Sequence, residues 1–208
     1  MEPREQPEDI ASSARLETFA DGVFPIAITL LVLEIRIPEP GENVARAILN
    51  QWPSFLAYIT SFLTIGTIWA DHHRLFTVIR GTTYGFLFVN VLLLMPIAFL
   101  PHPTAVVARQ WFEGKDQVVP AMLLYGGTMA LVAVLFRVIW RYASSRGLMS
   151  AELTRSRAYR RRGELIYRLA PLIYVLGAAA SVIDPIVSLL VFLGLAMYWL
   201  LPGLRQAA

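Results

Sequence analysis

Arg15, Glu17 and Asp21 open the stretch RLETFADGVFPIAITLLVLEIRI, residues 15–37, which is otherwise apolar and long enough to cross a bilayer. An ionisable group in hydrocarbon costs about 2.5–3.5 kcal/mol on insertion scales, so Arg15 and Asp21 must pair, face other helices or touch water. Charges held that way suit the lining of an ion or proton pathway. A second cluster, Asp71-His72-His73, offers proton exchange or metal ligation. Adjacent histidines on a helix point about 100° apart, whereas helical zinc motifs need i, i+4 spacing. His102 is the remaining histidine. The spacing therefore favours interfacial hydrogen bonding to Arg15 or Asp21 over a metal site. There is no P-loop, no G-x-S-x-G and no pair of intramembrane carboxylates at catalytic spacing, which leaves an enzyme or a resident cofactor little to work with.

Ile26, Leu30 and Leu33 recur at i, i+4 and i+7 in the same stretch and place three branched side chains on one helix face. Two readings are open. One is an ordinary helix-packing stripe; the other is a hydrophobic constriction, which stays dry until it widens when repeated around a symmetry axis. Thr29 puts a hydroxyl near the same level, either there or bonded to its own helix carbonyl. Pro25 removes one backbone bond and predicts a kink, as hinge or as static bend. Glu34 either draws cations to a pore mouth or pairs with Arg36 or another exposed charge. Thr64-Ile65-Gly66-Thr67 lies inside a continuous helical pattern, so it is no carbonyl selectivity-filter loop of the T-V-G-Y-G kind.

The elements that position these groups are membrane helices. With 56% hydrophobic and 16% charged residues and a mean hydropathy of +0.56, the chain is too apolar for a soluble domain of its size. It has no cysteine, which excludes disulfides and thiolate chemistry. Six apolar segments follow one another at about 15–37, 53–78, 84–100, 117–142, 165–183 and 184–201. Ser12 or Ser13 caps the first and Pro38 to Gly41 stops it. Pro53 starts the second; Pro101 and Pro103 close the third. Asp184-Pro185 joins the last two in a tight hairpin. Residues 1–14 lack a basic signal-peptide n-region, so the first span is expected to be retained.

The formal charge of +3 and a pI near 9.4 do not point to nucleic acid, because the basic residues gather between particular spans. Arg4, Arg15, Arg74, Arg80, Arg205 and the arginines from Arg137 to Arg168 fall on one side; Arg36, Arg46, Arg109 and Lys115 fall on the other. The positive-inside rule places both termini and the basic 143–164 loop in the cytoplasm, with residues 202–208 as a short tail. That loop is read as a helical extension that touches anionic headgroups or a partner. The five tryptophans fall near span ends, as interfacial aromatics do.

Arg15, Phe19 and Asp21, in RLETFAD, resemble the R-x-x-x-F-S-D signature of the transmembrane protein 175 family, lysosomal potassium channels with smaller prokaryotic relatives. Residues 22–35 (GVFPIAITLLVLEI), Trp69 with His72-His73-Arg74, and residues 90–101 (NVLLLMPIAFLP) are similar to the rest of that family's first three helices. The resemblance implies an all-α integral membrane protein with six transmembrane helices per subunit and a homotetramer that conducts potassium through a pore lined by helix one. It implies that Ile26, Leu30 and Leu33 form the constriction with Thr29 beside it, and that Arg15, Phe19 and Asp21 hold helix one against helix two near Trp69 and His73. Ala20 replaces the usual serine, and Pro25 stands where a small helix former is common. The expected function is a potassium-permeable channel of the cell membrane, with permeant monovalent cations and the lipid bilayer as its partners. The alternatives are a proton-coupled transporter using Asp21 and His73, and a non-transporting interaction protein.

Overall fold

The computed structural model describes residues 13–150 and 157–200. Most of the expected N-terminal segment, positions 151–156 of the basic loop and the 202–208 tail lie outside the described residues. Those described fold into α1 (Ala14–Leu30, continued by a 3-10 turn Leu31–Glu34), α2 (Val44–Asn50), α3 (Trp52–Val78) and α4 (Tyr84–Phe99). They continue with α5 (Pro101–Gln110), α6 (Lys115–Ser145), α7 (Arg157–Ala179, continued by a 3-10 turn Ala180–Val182) and α8 (Pro185–Leu200).

Four runs are long and apolar enough to cross a membrane: Ala14–Glu34, Trp52–Val78, Tyr84–Gln110 and Lys115–Ser145. The apolar helices Tyr167–Val182 and Pro185–Tyr198 are shorter. The protein is an all-α, multi-pass membrane protein.

Local chemistry explains where the helices start and where the sequence expectation needs adjusting. Pro101 was expected to end the third span. It starts α5 instead, because a proline at the first helical position loses no needed N–H and is already at a helical φ. Leu100 between the two helices keeps helical angles (φ −56°, ψ −32°), so α4 and α5 form one run of 27 residues. Helix one tightens to a 3-10 turn after Leu30 and gives way to extended backbone at Ile35, short of the expected Ile37. Ser13 stands at its N-cap position, but the hydroxyl donates to Glu17 Oε1 at 2.6 Å rather than accepting a backbone N–H. The short α2 was not anticipated; the Asn43 side chain caps it by accepting the Arg46 N–H at 3.0 Å. Residues 64–67 lie within α3, where Thr64 and Thr67 return their hydroxyls to the carbonyls of Thr60 and Thr64.

Helix α1 lies against α3 and α4 through Leu16, Ala20, Phe24, Ala27 and Leu31. The most extensive pairing among the described residues is that of α6 with α7. There, Gly126 lets the backbones approach so nearly that a Cβ at this position would overlap the Ala178 Cβ. Ser188 Oγ donates to the Gly177 carbonyl at 2.8 Å, and Asp184 Oδ1 accepts the Ile186 N–H at 2.7 Å, which closes the α7–α8 hairpin. At the end of the bundle that carries Arg15, residues 78–80 and 148–150 pair as a short antiparallel bridge. Arg80 N–H donates to the Leu148 carbonyl and Ser150 N–H to the Val78 carbonyl, both at 2.9 Å.

Candidate functional site: the outward face of helix one

At about 100° per residue, Leu16, Ala20, Phe24, Ala27 and Leu31 form one stripe of α1, while Arg15, Phe19, Gly22, Ile26, Leu30 and Leu33 form another about a third of a turn away. The first stripe is buried within the chain. The second is exposed: Phe19 at 55%, Ile26 at 61%, Leu30 at 42% and Leu33 at 73%. The three aliphatic side chains singled out by spacing therefore share a face that the chain's other described helices leave uncovered. Thr29 lies next to it, exposed, with its hydroxyl donated to the Ile26 carbonyl at 2.9 Å. Pro25 offers no N–H to the Asp21 carbonyl, one turn earlier, so the ladder is weakest just before Ile26.

At the Arg15 end, Trp69 Nε1 on α3 donates to Asp21 Oδ1 at 2.9 Å. The His73 ring stacks on the same indole, with centroids 6.1 Å apart. Asp21, Trp69 and His73 thus lie together, with the indole rather than an imidazole as the partner of Asp21. Arg15 and Phe19 lie exposed on the outward stripe. The two histidines diverge, as their adjacency requires. His73 is exposed, whereas His72 is buried behind α1, 5.5 Å from the Phe24 ring and 4.5 Å from Phe76. His72 Nε2 shares a 2.9 Å hydrogen bond with Asn90 Oδ1 on α4. Sequence reasoning passed over this pair; an asparagine within an apolar span was the signal that could have found it.

At the other end, Glu34 pairs with Arg109 of α5 at 2.8 Å, not with Arg36. Arg36 forks onto both oxygens of Glu42 at 2.9 Å. That hydrogen bond, helped by the Glu39 N–H, holds the Glu42 carboxyl below the usual carboxylate range. Helix α1 is therefore tied at its Arg15 end by an indole–carboxylate bond and at its far end by an ion pair, with the aliphatic stripe between.

The model for the family described as endosomal/lysosomal potassium channel TMEM175 matches residues 15–101. Potassium channel Cha6605_3372 of Chamaesiphon minutus is 36% identical over 204 residues, covering 95% of this chain and 97% of that protein. Potassium channel B446_29190 of Streptomyces collinus is 40% identical over 138 residues, covering 65% of this chain and 66% of that one. A crystal structure of a lysosomal potassium-selective channel TMEM175 homolog from Chamaesiphon minutus matches the fold with a TM-score of 0.81 and 35% identity, over 94% of this chain and 98% of that chain. With a relative this similar over almost the whole chain and the fold in agreement, the chain belongs to the TMEM175 family.

Proposed function

We propose that this chain is one subunit of a homotetrameric, potassium-permeable channel of the cell membrane, with four copies of α1 around the axis. The observation that carries this reading is the uncovered stripe from Arg15 through Ile26 and Leu30 to Leu33. A stripe facing an axis needs side chains narrow enough to meet and charges at the mouths. In this reading Ile26 is the narrowest ring, Leu30 and Leu33 extend it, and Thr29 sits beside it. The bonds of Asp21 to Trp69 and Glu34 to Arg109 hold the helix in place. Closed rotational symmetry covers each copy's stripe with those of its neighbours. The description of the relatives as potassium channels supports the ion.

The α4–α5 run supplies one crossing, and the two shorter helices joined at Asp184 complete six, with both termini in the cytoplasm. An aliphatic ring cannot replace a hydration shell with coordinating oxygens. Discrimination among cations then comes from width and from the cost of partial dehydration.

The test is cation flux from proteoliposomes, comparing potassium, sodium and caesium, with Ile26→Asn as the paired variant. Non-saturating flux that prefers potassium, with larger and less selective currents in the variant, is the expected result. Unchanged currents at equal expression would remove Ile26 from the constriction. The placement of Asp21 and His73 on one indole favours a second reading, a proton-coupled carrier; saturable flux lost in Asp21→Asn would move it ahead.

A further inference from the structure

Of the four cations at the Glu34 end, Arg46 has no carboxylate in ion-pair range among the described residues and the other three are held internally. At the Glu34 end, Arg36 is paired with Glu42, Arg109 with Glu34, and Lys115 Nζ donates to the Ile183 carbonyl at 2.8 Å. At the Arg15 end, Arg74 reaches Asp71 at 3.9 Å, while Arg137 and Arg141 of α6 and Arg168 of α7 have no carboxylate in ion-pair range among the described residues.

These three arginines flank a single aromatic joint. Tyr167 of α7 stacks on Phe136 of α6 at 6.1 Å with the rings parallel, and lies 5.4 Å from Trp140. Arg137, Arg141 and Arg168 are the residues that immediately follow these three rings. The joint locks the antiparallel helices, so the three guanidinium-bearing positions are held within about one helical turn of one another along the bundle. On the membrane-centre side of those positions, Val134 of α6 and Leu172 and Leu176 of α7 are exposed and apolar.

We propose that this α6–α7 face binds an anionic phospholipid, its phosphate held by Arg137, Arg141 and Arg168 and its acyl chains laid along Val134, Leu172 and Leu176. Guanidinium groups meet phosphate oxygens in a fork geometry and do so best where water is sparse. Three positive charges without internal partners favour an anionic headgroup over a zwitterionic one. A free phosphate would leave the apolar part of the face unused, so the occupant is the lipid. The proposal rests on the membrane placement given above and not on ion conduction.

Native mass spectrometry of the full chain, released from detergent with phosphatidylglycerol or phosphatidylcholine, tests it. The expected result is at least about tenfold preferential retention of phosphatidylglycerol. The triple variant Arg137→Gln, Arg141→Gln, Arg168→Gln loses the preference, and Arg46→Gln at the opposite end keeps it. Raising salt to about 1 M, where screening acts over roughly 3 Å, removes the preference from the unmodified chain, a readout that requires no variant to fold. Equal retention of the two lipids, retention in the triple variant, or a preference unchanged by salt would each overturn the proposal. Potassium flux measured on the same preparations separates the two readings, since a chain that retains phosphatidylglycerol without conducting defeats the channel alone.

Discussion

Trp69 Nε1 donates to Asp21 Oδ1 at 2.9 Å and so ties α1 to α3 across 48 positions of sequence. The carboxylate gains a partner that cannot titrate, and the indole also gives His73 a surface to stack on. One residue of α3 thereby satisfies the charged group of α1 that a bilayer tolerates least.

This pair is expected to couple energetically. Asp21→Asn and Trp69→Phe should each lower thermal stability in detergent. A double-mutant cycle should give a coupling of about 1 kcal/mol, the discounted value of a hydrogen bond to a charged group that keeps some exposure. Additive losses would mean that the contact contributes nothing on its own.

Gly126 and Gly127 are adjacent on α6 and should respond oppositely to alanine. A Cβ at Gly126 meets Ala178 and the Phe192 ring, whereas nothing lies within 4 Å of one at Gly127. Gly126→Ala should cost about 1–3 kcal/mol by forcing α6 and α7 apart. Gly127→Ala should be neutral or gain up to about 1 kcal/mol from helix propensity. Melting curves of the two variants side by side check this.

Glu34 and Arg109 form a lone ion pair between the end of α1 and α5, with the arginine largely exposed. Glu34→Gln should lower stability by only about 0.2–1 kcal/mol, and the loss should shrink at high salt. Exchanging the two charges, Glu34→Arg with Arg109→Glu, should restore what the single change removes. A larger, salt-independent loss would show that the contact is more deeply desolvated in the assembled protein.

The turn between α1 and α2 should weaken in acid. Arg36 lowers the folded-state pKa of Glu42, so the pairing contributes stability above the carboxylate's unfolded value and loses it as pH falls through the lowered folded value. Hydrogen exchange at the Glu39 amide, which donates to Glu42, should therefore speed up as pH falls below the ordinary glutamate range, after correction for intrinsic rates. Glu42→Gln should show the faster exchange already at neutral pH.

The pattern of residues was sufficient to identify an all-helical membrane protein, the spacing of Ile26, Leu30 and Leu33 on one face, and the continuity of α3 through Thr64 to Thr67. These are local properties: hydropathy over a span, side-chain direction at 100° per residue, and the absence of a helix breaker. Pro101 shows the limit of such reasoning. A proline that stops one helix is also suited to starting another, and only the packing around Leu100 settled which. The α1 stripe was legible as a stripe, but its exposure was not, because a periodic apolar face looks the same whether neighbouring helices cover it or leave it open. Tertiary structure decided that Leu16, Ala20 and Phe24 face inward and Ile26 and Leu30 outward. It also paired Glu34 with Arg109 rather than Arg36, and His72 with Asn90. Those partners lie 75 and 18 positions apart, and at such separations which charged or polar groups meet depends on how the helices pack.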